Sequence, residues 1–219
     1  MPDYDYAALP PTTQVLFQGR TSGRPVGFLV VKRGMDIGIS LLLVPVLAGL
    51  AVLLLILNPV LNRGPVLFVQ IRMGQGCKPF VAYKFRSMTP NLGKTRRPFD
   101  PVENSRITRL GCLLRRSRID ELPQIINVLK GEMSLIGPRP DYIHHARHYR
   151  RHIPGYRARH RVRPGISGLA QVEVGYAHSS DAVAAKVRAD IRYINNPGLV
   201  QEARIFCRTV QTVFTLKGR

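Results

Sequence analysis

The sequence predicts an α+β protein, mainly helical with a small β-hairpin, held in a membrane by one proline-broken, re-entrant helix near its N-terminus. Three observations predict it. Ile37 to Leu57 is a run of 21 residues without a charge. Two strand-like segments follow around a glycine-containing turn, and helical periodicity fills most of what remains. The 219-residue chain also carries 33 Lys and Arg against 13 Asp and Glu, a formal net charge of +20, so its surface seeks an anionic partner. A hydrophobic content of 45% excludes a wholly disordered basic chain. Cys77, Cys112 and Cys207 are odd in number and far apart, which supports neither a disulfide framework nor a zinc ribbon.

Residues 1–30 read as a mobile tail, rich in Pro and Gly and without a cleavable signal pattern. Within it Val15-Leu16-Phe17-Gln18-Gly19 resembles a viral protease site, with Arg20 where Pro usually follows. Residues 31–62 form the expected membrane element. As a straight helix the uncharged run would reach ~31 Å, about one bilayer core. Lys32 and Arg33 precede it, and Arg63 and Arg72 follow. Positive flanks resist translocation, so both ends prefer the cytoplasmic side. Pro45 removes a helical hydrogen bond and supplies the kink that lets the chain leave by the face it entered. A buried core helix would satisfy the same composition, but a domain this size rarely needs one that is apolar all round.

Residues 63–219 form the expected cytoplasmic domain. Val66 to Arg72 and Phe80 to Arg86 are predicted strands. Period-2 alternation sets Lys84 and Arg86 on one face, a pair suited to a phosphate-bearing ligand or simply a solvated face. Thr89 to Ser105 reads as a loop or lid. Leu110 to Arg116 is a predicted helix. A second one starts near Asp120-Glu121-Leu122-Pro123, buries Ile125, Ile126, Val128 and Leu129, and stops at Gly131. Gly137-Pro138-Arg139-Pro140 and Arg163-Pro164-Gly165-Ile166-Ser167-Gly168 are rigid turns, the second able to bring backbone N–H groups to a ligand. Two amphipathic helices finish the chain. Val183, Val187, Ile191 and Ile194 share one face, and Phe206, Val210, Val213 and Phe214 share the other, a pattern that suits a core or a membrane interface.

Asp120 and Glu121 are adjacent carboxylates among Arg115, Arg116 and Arg118. Helix capping is the plain explanation of Asp120. A helix start also binds phosphates, an acidic pair beside phosphates can hold Mg²⁺, and an aspartate can attack phosphorus.

The stretch from Arg118 through Asp120-Glu121-Leu122-Pro123 to Gly137-Pro138-Arg139-Pro140 closely resembles the core of the bacterial sugar transferases, monotopic phosphoglycosyl transferases of the small form. Further matching segments are Lys32-Arg33 with Asp36, Tyr83 to Met88, Arg163 to Gln171, and Asp190 with Tyr193. The resemblance implies an enzyme that moves a sugar-1-phosphate from a UDP-sugar to polyprenyl (undecaprenyl) phosphate, releasing UMP, as the first membrane step of glycan assembly. It implies Asp120 as nucleophile, Glu121 as its partner with Mg²⁺, and Lys84 and Arg139 near the diphosphate. It further implies supporting roles for Arg86, Arg115, Pro138, Pro140, Arg163 and Asp190, and Pro45 as the membrane kink. The implied place is the cytoplasmic face of the bacterial inner membrane, against anionic lipids, with a homodimer as one compatible assembly. Two positions depart from the family pattern: Val44 stands where Ser usually precedes the membrane proline, and Ile71 where Glu usually precedes Arg72.

Two other classes fit part of the sequence. A basic nucleic-acid-binding module would explain the charge but not the uncharged run. A silent membrane scaffold would explain the run but not the acidic pair. His144, His148 and His152 lie at helical spacing, yet an arginine-dense helix makes them a polar stripe before a metal site.

Overall fold

The computed structural model describes residues 25–90, 97–100, 103–174 and 179–215. Most of the expected tail, and residues 91–96 and 101–102 of the expected lid, lie outside this set.

Helix α1 spans Val26–Leu61, so it starts before the expected boundary at residue 31. Pro45 and Pro59 both lie inside it, and the helix ends at neither. Each proline costs one hydrogen bond, and the turns on both sides carry the helix through. Its most apolar stretch is only 11% buried, so it is not enclosed by this domain.

Both ends of α1 grip the same domain. Near the start, the Lys32 ammonium donates to the Ile136 carbonyl at 3.0 Å and pairs with Glu202 at 2.6 Å. Arg33 donates to the Val128 carbonyl at 2.7 Å and to that of Leu129 at 3.2 Å, satisfying acceptors that the end of a helix leaves open. The Asp36 carboxylate accepts from the Leu135 N–H at 3.0 Å. Near the other end, the Asn62 amide donates to the Arg86 carbonyl at 2.8 Å, and the Arg86 guanidinium donates back to the Asn62 carbonyl. Leu54 packs with Phe85 and Leu114, each such burial worth about 1.5–3 kcal/mol.

Strands β1 (Leu67–Met73) and β2 (Pro79–Phe85) form the expected antiparallel hairpin, with Phe68 opposite Lys84 and Arg72 opposite Phe80. Helix α2 (Arg109–Arg116) is capped by Thr108, whose hydroxyl accepts from the Gly111 N–H at 2.9 Å. A tight turn over Ile119–Glu121 then leads into α3 (Gln124–Leu129), which Gly131 ends at φ +81°. Strand β3 (Ser134–Ile136) pairs in parallel with β4 (Gly165–Ser167). The backbones touch there: a Cβ on Gly165 would lie 2.1 Å from the Gly137 nitrogen, so only glycine fits.

Helices α4 (Ile143–His152), α5 (Leu169–Glu173), α6 (Ser180–Asn195) and α7 (Leu199–Phe214) complete the domain. The expected face of α6 is buried: Val183, Val187 and Ile191 pack on α4, and Ile194 on Ile136 and Ile205. On α7, Phe206 of the expected face is exposed and Val210 and Val213 are half-buried, while Glu202 and Ile205 are buried and Leu199 and Val200 stay exposed. Glu202 binds Lys32 and accepts from the Tyr193 hydroxyl at 2.6 Å and so turns its own side inward.

Candidate active site

A cavity of about 1130 Å³ opens between β1, β2, the Ile119–Glu121 turn, the segment after Gly137, and helices α4 and α6. Asp120, Glu121, Lys84, Arg115, Arg118 and Arg139 all line it. Residues from four segments of the chain thus meet at one place.

The turn carrying the two acids is unusual locally. Arg118 sits in the left-handed region at φ 56°, a conformation that costs a non-glycine residue energy and recurs at functional sites. Asp120 caps no helix, because α3 begins only at Gln124 with Pro123 at its cap. The capping explanation therefore fails.

Glu121 is tied down from three sides. Lys84 donates to its Oε1 at 2.8 Å, Arg139 grips both oxygens, and Arg118 lies 3.6 Å from Oε2. Burial pushes Glu121 up, but Arg139 and Lys84 outweigh it and hold the carboxyl well below the usual range. Burial likewise pushes Asp120 up, and Lys84 only partly offsets that. Among the described residues, no hydrogen bond or ion pair occupies the Asp120 carboxylate. Burial brings Lys84 down to about 8 despite Glu121.

Behind the cavity lies a buried polar frame. Arg159, 1% exposed, donates to the Arg139 carbonyl at 2.7 Å, pairs with Asp190 at 2.7 Å, and binds Asp141. Lys186 reaches Asp141 at 2.8 Å, and Tyr156 donates to the same carboxylate at 2.7 Å. Lys186 and Arg159 hold Asp141 far below the usual range against the effect of burial. Arg72 donates to the Pro140 carbonyl at 2.8 Å, so the turn that aims Arg139 is fastened on both sides.

Of the predicted site residues, the structure gathers Asp120, Glu121, Lys84, Arg86, Arg115, Arg139 and Pro140 around the cavity. The Pro138 carbonyl accepts from the Gly165 N–H at 3.0 Å and ties the two turns together. Arg86 lines the cavity, and one arm of its guanidinium also donates to the Asn62 carbonyl at the end of α1. Two expectations need correction. Asp190 is 1% exposed and touches Arg159, so no substrate reaches it. Arg163 is exposed outside the cavity, because the β3–β4 pairing turns its segment away. Arg159, Asp141 and Lys186 were not foreseen. Their signal is faint in sequence, since one arginine in a dense basic run looks like any other.

The two carboxylates fit a divalent cation in one way only. Among the described residues no three His, Cys, Asp or Glu side chains converge. Mg²⁺ is commonly held by one or two carboxylates with the substrate's own phosphates, and with both Glu121 oxygens engaged by cations Asp120 is the open carboxylate of the pair.

An apolar, largely exposed helix compatible with membrane association lies outside, and a cation-walled cavity around paired acids lies inside. The chain belongs to the bacterial sugar transferase family, whose sequence model matches residues 28–216. It is 43% identical, over 188 residues, to the UDP-N-acetylgalactosamine-undecaprenyl-phosphate N-acetylgalactosaminephosphotransferase of Aeromonas hydrophila, covering 86% of this chain and 44% of that protein. It is 41% identical to the exopolysaccharide production protein PSS of Rhizobium leguminosarum bv. phaseoli, covering 85% and 96%. It is 38% identical to the UDP-glucose:undecaprenyl-phosphate glucose-1-phosphate transferase of Caulobacter vibrioides, covering 94% and 79%. The chain thus spans less than half of the Aeromonas protein and most of the other two.

Proposed function

We propose that this chain transfers a sugar-1-phosphate from a UDP-sugar to undecaprenyl phosphate, the reaction named for the Aeromonas and Caulobacter relatives. The observation that carries the reading is the unpaired Asp120 carboxylate beside a cation-saturated Glu121. An Asp120 oxygen attacks the phosphorus next to the sugar. The bond from that phosphorus to the bridging oxygen breaks, and UMP leaves with the electron pair. An oxygen of the lipid phosphate then attacks the same phosphorus, frees the Asp120 carboxylate and yields the polyprenyl diphosphate sugar. Such transfers depend mainly on positioning and on neutralising the non-bridging oxygens, which Lys84, Arg115 and Arg139 are placed to do. Mg²⁺ held by Asp120 and the donor's phosphates, with Glu121 joining where it releases Lys84 or Arg139, would add charge neutralisation on the diphosphate. The acceptor phosphate is already anionic near neutrality, so no dedicated base is required.

The same reading includes a monotopic, re-entrant placement on the cytoplasmic face of the inner membrane. Its support is that Lys32 and Asn62, near opposite ends of α1, both bind one domain. A straight crossing would set those ends on opposite faces. Exposed Leu199, Val200 and Phe206 suit an interfacial α7, and the +20 charge suits anionic lipid.

The test is UMP release across a panel of UDP-N-acetylhexosamines and UDP-hexoses with undecaprenyl phosphate and Mg²⁺, alongside intact mass of the protein. One donor should release UMP and leave a phospho-sugar mass on Asp120. Lipid product formed without that mass under any quench would remove the covalent step.

A further inference from the structure

The cavity does not end at the acids. It continues along β1 past Val69, Phe68 and Leu67 to Pro65, close to where α1 ends. In the hairpin register Phe68 is the cross-strand partner of Lys84, so ring and ammonium stand side by side on one face. The same pairing of apolar group and cation recurs on the other wall, where Arg115 donates to the Met88 sulfur at 3.4 Å. Phe68 is nevertheless 44% exposed, and Leu67 and Val69 are also exposed, as are Val60 and Leu61 at the end of the helix. Apolar side chains therefore recur from the end of α1 into β1, with Asn62, Arg63 and Gly64 between them, and Phe68 shares the strand face of the Lys84 cation that holds Glu121. A soluble nucleotide sugar has no use for such a path. An amphiphile with an anionic head and a hydrocarbon tail fits it at both ends.

We propose that the β1 lane from Pro65 to Val69 is the binding site for the first isoprene units of the acceptor lipid, with Phe68 and Met88 forming its inner threshold. This rests on the transferase reading above. The lipid phosphate reaches Lys84 and Arg115 while the chain lies on Phe68 and leaves over Leu67 toward the membrane end of α1. Phe68 thereby sets selectivity for acceptor tails, and it plays no part in capture of the sugar-phosphate.

The experiment compares undecaprenyl phosphate with geranyl phosphate as acceptors, in wild type, Phe68→Ser and Phe68→Leu, with donor KM measured in each. In Phe68→Ser, KM for undecaprenyl phosphate should rise about tenfold, the scale set by losing burial of one aromatic side chain. Geranyl phosphate carries the first two isoprene units, so its KM should rise by a similar factor, donor KM should hold, and Phe68→Leu should restore most of the loss; a rise confined to undecaprenyl phosphate would place the first units elsewhere. An unchanged KM for undecaprenyl phosphate in Phe68→Ser overturns the lane. So does an altered oligomeric state of Phe68→Ser with lipid kinetics intact, which would make the face a contact between copies. Wild type inactive on both acceptors with every donor would instead defeat the transferase reading itself.

Discussion

Asp120 and Glu121 are chain neighbours held in opposite states. Glu121 is locked by Lys84, Arg139 and Arg118, whereas Asp120 faces the cavity with no partner among the described residues and with its proton affinity raised by burial. One acid is a fixed post for the cations, and the other is free to react. Asp120→Asn should therefore lower UMP release by about 10⁴-fold or more and abolish the phospho-sugar mass. Glu121→Gln should retain a weak adduct while turnover falls roughly 10²-fold, since three cations lose their common anchor. Equal effects of the two changes on adduct formation would contradict this division.

Lys84 gives the reaction an alkaline limit. Its ammonium, brought by burial to about 8 from 10.5, is charged below that pH and neutral above it. Donor affinity should fall as pH rises through about 8, and Lys84→Arg should move the fall upward. Stability runs the other way. The unfolded chain binds this proton more tightly than the native one, so the group makes unfolding harder as pH climbs from about 8 to 10.5. KM for the donor and chemical denaturation, each followed across that range, check both signs.

Arg159 anchors the frame behind Arg139. Arg159→Leu leaves Asp141 and Asp190 without their buried counter-charge and should cost on the order of 3–5 kcal/mol. Thermal unfolding in detergent should drop accordingly, and adding Asp190→Leu should recover part of the loss. A double variant less stable than the sum of the single changes would speak against a coupled pair.

The flanks of α1 test the membrane placement. In a cysteine-free background, Val30→Cys and Arg63→Cys should both react with an impermeant maleimide in inverted membrane vesicles. Neither should react in intact spheroplasts. Labelling of only one in either preparation would establish a straight crossing.

The hairpin, the α3 stop at Gly131 and the buried face of α6 were legible because local alternation, a left-handed glycine and 3.6-residue spacing each act within a few residues. The acids were legible through their motif, and Lys84 through its strand phase. What escaped depends on distant partners. Nothing near Arg159 in the chain says that it meets Asp141, Asp190 and the Arg139 carbonyl. Arg86 was legible as a cation on the cavity side through its strand phase, whereas its tie to the Asn62 carbonyl, 24 residues earlier, was not. For α7, hydrophobic phase pointed one way and the Glu202 pairings with Lys32 and Tyr193 pulled the helix another.

Because Lys32, Arg33 and Asp36 pin one end of α1 while Asn62 and Leu54 pin the other, the greasy segment is a structural beam of the domain. Cutting it away would strip partners from Glu202, Arg86 and the last turn of α3 at once. A fragment starting after residue 62 would therefore be a damaged domain, and grafting an unrelated apolar helix in its place would leave those partners missing.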